Sequence, residues 1–170
     1  MPRPEGRFFP SATLPLDFEF PHMLPRERGM FRNWFHAIGK DFDGFMFDVR
    51  VGSGRPASFA DIKQYQTQLG FSPGLTQQQQ DFIDGQIRVA WHALTQKRID
   101  AMGFRGGETW LIEVKKVFNM ALLGQLDIYS ILLLRDYPPD GAFIRAAIVG
   151  EVDPDIGPIA SARGIQIFRV

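Results

Sequence analysis

The chain has 170 residues, 45% of them apolar, with 19 basic against 19 acidic side chains and no cysteine. That length suits one domain with a real core. Zero formal charge argues against a protein that coats nucleic acid through bulk charge, and the lack of cysteine excludes a disulfide framework, a thiol nucleophile and a thiolate metal site.

No apolar run reaches the length of a membrane span, and no basic stretch followed by an apolar one opens the sequence, so the expectation is a cytosolic globular protein without membrane contact. Residues 1–30 hold six prolines together with Phe8, Phe9, Phe18 and Phe20, and show too little periodicity for a helix or a paired strand. They read as an extended arm ahead of a single domain over residues 31–170. Disordered tails are poor in aromatics, so the arm packs onto something, either its own domain or a neighbouring subunit.

Phe31, Trp34, Phe35 and Ile38 follow helical spacing, with Gly39 placed to end a short helix. Phe45, Phe47, Val49 and Val51 alternate with Met46, Asp48 and Arg50 as in a strand. A short helix is expected near residues 58–69, a strand within "IRVAWHAL" at 87–94, and two strands through "KRIDAMGF" and "TWLIEVKKV". A helix runs from Met120 to Asp136, capped by Asn119 and ended by Pro138 and Pro139. "AFIRAAIVGEV" and "IQIFRV" complete a mixed α/β order as two further strands.

Gly106 and Gly107 are suited to the central positions of a type I′ hairpin turn, which need positive φ. That turn makes Phe104 face Thr109, Met102 face Leu111 and Asp100 face Glu113, the last pair with Cβ atoms roughly 4.5–5.5 Å apart. Lys115 falls on the Glu113 face, one pleat further along. Two like charges opposed in a half-buried sheet repel unless something neutralises them, and a divalent cation would do so. The plainer reading pairs Glu113 with Lys115 or Arg98, and Asp100 with a neighbouring lysine, as ordinary ion pairs. Hard oxygen donors without cysteine favour Mg²⁺ or Mn²⁺ over zinc. His22, His36 and His92 are scattered and read as packing or surface residues. In the following helix Gln125 and Tyr129 are four apart, so both lean from one face toward the same place, with Leu123, Leu126 and Ile131 as apolar cover.

With Asp100 in "RIDAMG", Glu113 and Lys115 in "IEVKK", and Gln125 and Tyr129 in "GQLDIY", the chain resembles the PD-(D/E)xK, or restriction-endonuclease-like, nuclease superfamily, in its Q-x-x-x-Y-containing branch. The resemblance implies an α+β fold with an αβββαβ core, a central mixed sheet flanked by helices. It also implies that Asp100 and Glu113 hold Mg²⁺ or Mn²⁺ with the Val114 carbonyl as a third ligand. Lys115 would orient or activate the attacking water and stabilise charge on the phosphate, and Gln125 and Tyr129 would position backbone or water. Lys97, Arg98 and Lys116 would contact flanking phosphates. Residues 88–118 carry six basic against three acidic side chains, which allows such local contact. Many members add an acid from the first helix; Asp48, Asp81 and Asp84 are candidates here, Asp48 first among them.

The expected activity is metal-dependent hydrolysis of DNA. The alternative, motivated by the aromatic arm and the zero charge, is a phage structural protein, a head–tail connector, neck or adaptor, that keeps the fold and assembles through the arm with copies of itself or other phage proteins in a virion.

Overall fold

The computed structural model describes residues 7–15, 17, 20, 23–68 and 76–170, so the expectations on Phe18 and His22 lie outside the described residues. Its elements are β1 (Phe8–Pro10), α1 (Pro25–Ala37), β2 (Gly44–Val51), α2 (Phe59–Gln68), α3 (Gln77–Thr95), β3 (Lys97–Arg105), β4 (Glu108–Phe118), α4 (Met120–Asp136), β5 (Phe143–Val152), α5 (Ile156–Ala162) and β6 (Ile165–Arg169). They form two compact units: residues 1–50 with 98–170, and residues 51–97.

The six strands of the larger unit make one sheet in the order β1-β2-β3-β4-β5-β6. β3 and β4 are antiparallel, whereas β4, β5 and β6 run parallel. The sheet is therefore mixed, and the order α1, β2, β3, β4, α4, β5 is the αβββαβ core that the resemblance implied. Parallel partners need a crossover, which α4 supplies between β4 and β5. The Gly-Gly turn sets the hairpin register as its chemistry dictates: Gly106 and Gly107 have φ of 54° and 87°, and Phe104 faces Thr109 while Met102 faces Leu111.

Alternation along the strands sorts side chains to the two faces. Ala101, Trp110, Ile112, Val114, Ala146 and Ile148 join Phe45 and Phe47 beneath Met30, Phe31, Trp34 and Phe35 of α1 in a buried aromatic core. Leu111, Glu113 and Ala147 belong to the other face of the same strands, and α4 buries Leu122, Leu123, Leu126 and Leu133. Asn119 caps α4 by accepting from the Leu122 N–H at 3.1 Å.

Four expectations need correction. Residues 25–30 are not extended: α1 begins at Pro25, whose missing N–H costs nothing at the first helical position. Within the arm, Phe8–Pro10 is a paired strand, with Phe8 opposite Met46 and Phe9 opposite Phe45, and Pro10 is tolerated because β1 is a sheet edge. "IRVAWHAL" is helix, not strand: Ile87 is buried with Ile83 and Trp91 packed around it at four-residue spacing, while Val89 is exposed. Ile131 is exposed rather than covering the Gln125 face.

In the smaller unit, Ala57, Ile62 and Ile87 form the core between α2 and α3. Its glutamines have work there, with the Gln66 and Gln80 amides donating to Asp84 at 2.6 and 2.8 Å and Gln77 donating to Asp81 at 2.8 Å. His92 lies 2.9 Å from the Ser53 carbonyl, a local backbone contact, while His36 is exposed in the last turn of α1.

Candidate active site

Registered pairing of β3 with β4 reaches Ala101 opposite Ile112. One step on, where the turn places Asp100 opposite Glu113, side chains take over the ladder. The Asp100 N–H donates to Glu113 Oε1 at 3.3 Å, and the Val114 N–H donates to Asp100 Oδ2 at 2.9 Å. Glu113 is thus fixed by the Asp100 backbone, and Asp100 by the backbone one residue beyond Glu113. Glu113 is 0% exposed and Asp100 8%.

Helices then close over this pair from two directions. From α4, the Gln125 amide donates to Glu113 Oε2 at 2.7 Å. Tyr129 stands on the same helical face, its phenol half-buried and in hydrogen-bonding contact with Gln125. From α1 comes a residue that sequence reasoning missed. Glu27 is 7% exposed, and its Oε1 accepts from Lys115 Nζ at 3.1 Å while the same ammonium donates to Asp100 Oδ2 at 3.2 Å. Glu27 Oε2 accepts the Leu24 N–H at 2.8 Å, so the side chain also caps its own helix. The signal was present in "PRE": proline at the first helical position and glutamate at the third mark a helix start.

Of the remaining candidates, Asp48 forms an ion pair with Arg98 at 3.4 Å and takes φ 55°, a left-handed conformation that aspartate tolerates better than most residues. Lys97 and Lys116 are exposed, whereas Arg98 is partly buried against Asp48. Asp81 and Asp84 are on α3. Glu27, Lys115, Lys116, Asn119, Leu122 and Gln125 line an open cleft of about 350 Å³.

Burial sets the electrostatics. It raises the Glu113 carboxyl well above its usual range, and the adjacent Asp100 charge pushes the same way. Asp100 is also raised, by burial first, against the opposing pull of Lys115. Burial alone would lower Lys115, but Asp100, Glu27 and Glu113 together raise it, so it stays an ammonium at neutral pH. Tyr129 is raised by burial and by the Glu113 charge, which keeps the phenol protonated.

A carboxyl whose folded pKa is raised stabilises the fold below its unfolded pKa and loses that contribution as pH climbs through the folded value. For this pair the window opens above the usual 3.8 and 4.5 and extends to the raised values. The metal-free protein is therefore expected to gain stability from the pair as pH falls from the raised folded values toward the ordinary carboxylate range, and Glu113→Gln should flatten that gain in melting curves.

No family model matches the chain, and no curated protein matches it. A solved structure, a repair endonuclease from Pyrococcus abyssi, is similar over 43% of this chain and 32% of its own length, at 15% identity and a TM-score of 0.38. So distant a likeness carries no argument about the site.

Charge and donor type decide whether a cation fits. Three carboxylates, Asp100, Glu113 and Glu27, surround one ammonium, an excess of two negative charges when all are ionised. All are hard oxygen donors, as Mg²⁺ and Mn²⁺ prefer. Among the described residues no three acidic or imidazole groups converge as direct ligands; Asp100 and Glu113 adjoin each other, and Glu27 reaches Asp100 through Lys115. The residues fit a divalent cation held by two carboxylates, with further positions left to backbone, water or substrate.

Proposed function

We propose that this chain is a divalent-metal-dependent nuclease that hydrolyses DNA phosphodiester bonds. The observation that carries the reading is the buried Asp100–Glu113 pair beside a charged Lys115, which itself lines an open cleft. Opposed buried carboxylates weaken a fold unless a cation repays them, so their placement is a cost that metal binding would offset.

In this reading Asp100 and Glu113 hold Mg²⁺ or Mn²⁺, with the Val114 carbonyl as the backbone ligand. The ion supplies water activation and neutralises charge on the phosphate. Lys115 is already protonated and hence suited to donate to a phosphate oxygen rather than to remove a proton. Gln125 fixes the Glu113 carboxylate, and Tyr129 braces Gln125 and offers a neutral O–H to the substrate. Exposed Lys116 meets a flanking phosphate, a contact that salt would weaken. Arg98 contributes less, since its guanidinium is engaged with Asp48, and Asp48 serves the site through Arg98 unless that pair opens. The described part of the arm is committed to its own chain, through β1 and buried Phe20 and Met23, which favours the enzyme over an adaptor reading.

The test is cleavage of plasmid and linear single-stranded DNA in Mn²⁺ by wild type and Lys115→Ala. Cutting by the wild type, reduced about 10²-fold or more in the variant, is the expected result. A folded wild-type preparation that cuts neither substrate overturns the proposal.

A further inference from the structure

Resting on that reading, we propose that Glu27 is a positioning residue that keeps the Lys115 ammonium at the site when a divalent cation takes Asp100. One ammonium bridges two carboxylates, 3.1 Å from Glu27 Oε1 and 3.2 Å from Asp100 Oδ2. Asp100 Oδ2 already accepts the Val114 N–H at 2.9 Å. A cation that takes the Asp100 carboxylate therefore meets the positive charge of the ammonium already bound there, and the two compete for one negative charge.

The competition ends differently with and without Glu27. A displaced lysine has a flexible four-carbon stem and a strongly hydrated head, and a third of this side chain is already open to water. Lacking a second anchor, it would either stay on Asp100 and resist the cation or leave for solvent. With Glu27 it gives up one bond and keeps the other. The anchor is rigid: Glu27 is buried, its Oε2 is held by the Leu24 N–H at 2.8 Å, and its helix is pinned by Phe31, Trp34 and Phe35 in the aromatic core. Glu27 thereby frees Asp100 at low cost and leaves a cation of fixed position at the cleft, on the side lined by Lys116 and Asn119.

A double-mutant cycle separates this role from direct ligation. Mn²⁺ affinity is measured by titration calorimetry on the folded full chain for wild type, Glu27→Gln, Lys115→Met and the double variant. Glutamine at 27 keeps an oxygen for the Leu24 N–H and removes only the charge. Glu27→Gln should weaken Mn²⁺ binding by about 3- to 10-fold, Lys115→Met should tighten it by a similar factor, and the effect of Glu27→Gln should shrink at least about threefold once Lys115 is gone. If Glu27→Gln costs as much or more without Lys115, Glu27 is itself a ligand and the inference fails. If Glu27→Gln changes melting but not Mn²⁺ affinity, its role is only structural and the inference fails again. Lys115→Gln replaces Lys115→Met if the latter does not fold. No Mn²⁺ binding by the wild type would overturn the proposed function itself, a result distinct from either failure.

Discussion

Glu113→Gln is expected to reduce Mn²⁺-dependent DNA cleavage by about 10³-fold or more while leaving the metal-free protein at least as stable as wild type. The two halves of this result have one cause. Glu113 is fully buried, and its carboxylate adjoins that of Asp100. An ionised carboxylate in that position is costly, and its folded form already holds a proton more tightly than a free glutamate does. Glutamine keeps the shape and removes the charge. Its carbonyl can accept the Asp100 N–H that Glu113 Oε1 accepts now, and the Gln125 amide can turn its own oxygen toward the new NH₂ group. The Asp100 N–H then keeps its acceptor and the new amide has one of its own. The charge that is lost is the one a divalent cation needs, so Mn²⁺ should no longer raise the melting temperature of the variant. Melting with and without Mn²⁺, beside a cleavage assay, checks both halves. A variant that melts several degrees below wild type in the absence of metal would show that ionised Glu113 is stabilising as it stands, and the argument for an unpaid charge at this site would collapse.

Sequence reasoning reached the hairpin because its determinants are local. Two adjacent glycines with positive φ set the register, and the register sets which carboxylate meets which. Asn119 announced α4 just as directly. The helix α3 was hidden because Ile87, Val89 and Trp91 satisfy a two-residue period as well as they fit a helix; Ile83, Ile87 and Trp91 are the set that packs. Its start was nevertheless written in Thr76, which accepts from the Gln79 N–H in a reciprocal cap, a signal lost in a run of glutamines. α5 escaped because Gly157 and Pro158 look like loop residues, although proline is tolerated in a first helical turn. Glu27 was missed for a related reason: reading the prolines as an extended arm placed the start of α1 too late to include it. Its meeting with Lys115, 88 residues away, is a tertiary fact that no local pattern encodes.

Phe31→Ala is expected to cost about 3–5 kcal/mol of stability, the size of loss typical of a large buried aromatic. Phe31 is 0% exposed, and its ring lies 5.1 Å from Phe20, 5.6 Å from Phe45 and 5.4 Å from Phe47, edge-on to all three. Truncation removes these contacts together and leaves a cavity among stiff rings that cannot readily collapse into it. A domain of this size has a total stability of only about 5–15 kcal/mol, so the loss is a large share of the whole. Denaturant unfolding should show a lower midpoint with little change in slope. The same substitution bears on the site, because Phe31 sits one helical turn beyond Glu27 on α1. Loosening the helix frees the Glu27 carboxylate that anchors Lys115, so Mn²⁺ affinity should weaken even at a temperature where the variant is fully folded. An equally destabilising cavity in the smaller unit, made by Ile62→Ala in the core of Ala57 and Ile87, serves as the control. If both variants weaken Mn²⁺ binding alike, the effect is general loosening; if only Phe31→Ala does, the aromatic core is what holds α1, and with it Glu27, over the carboxylate pair.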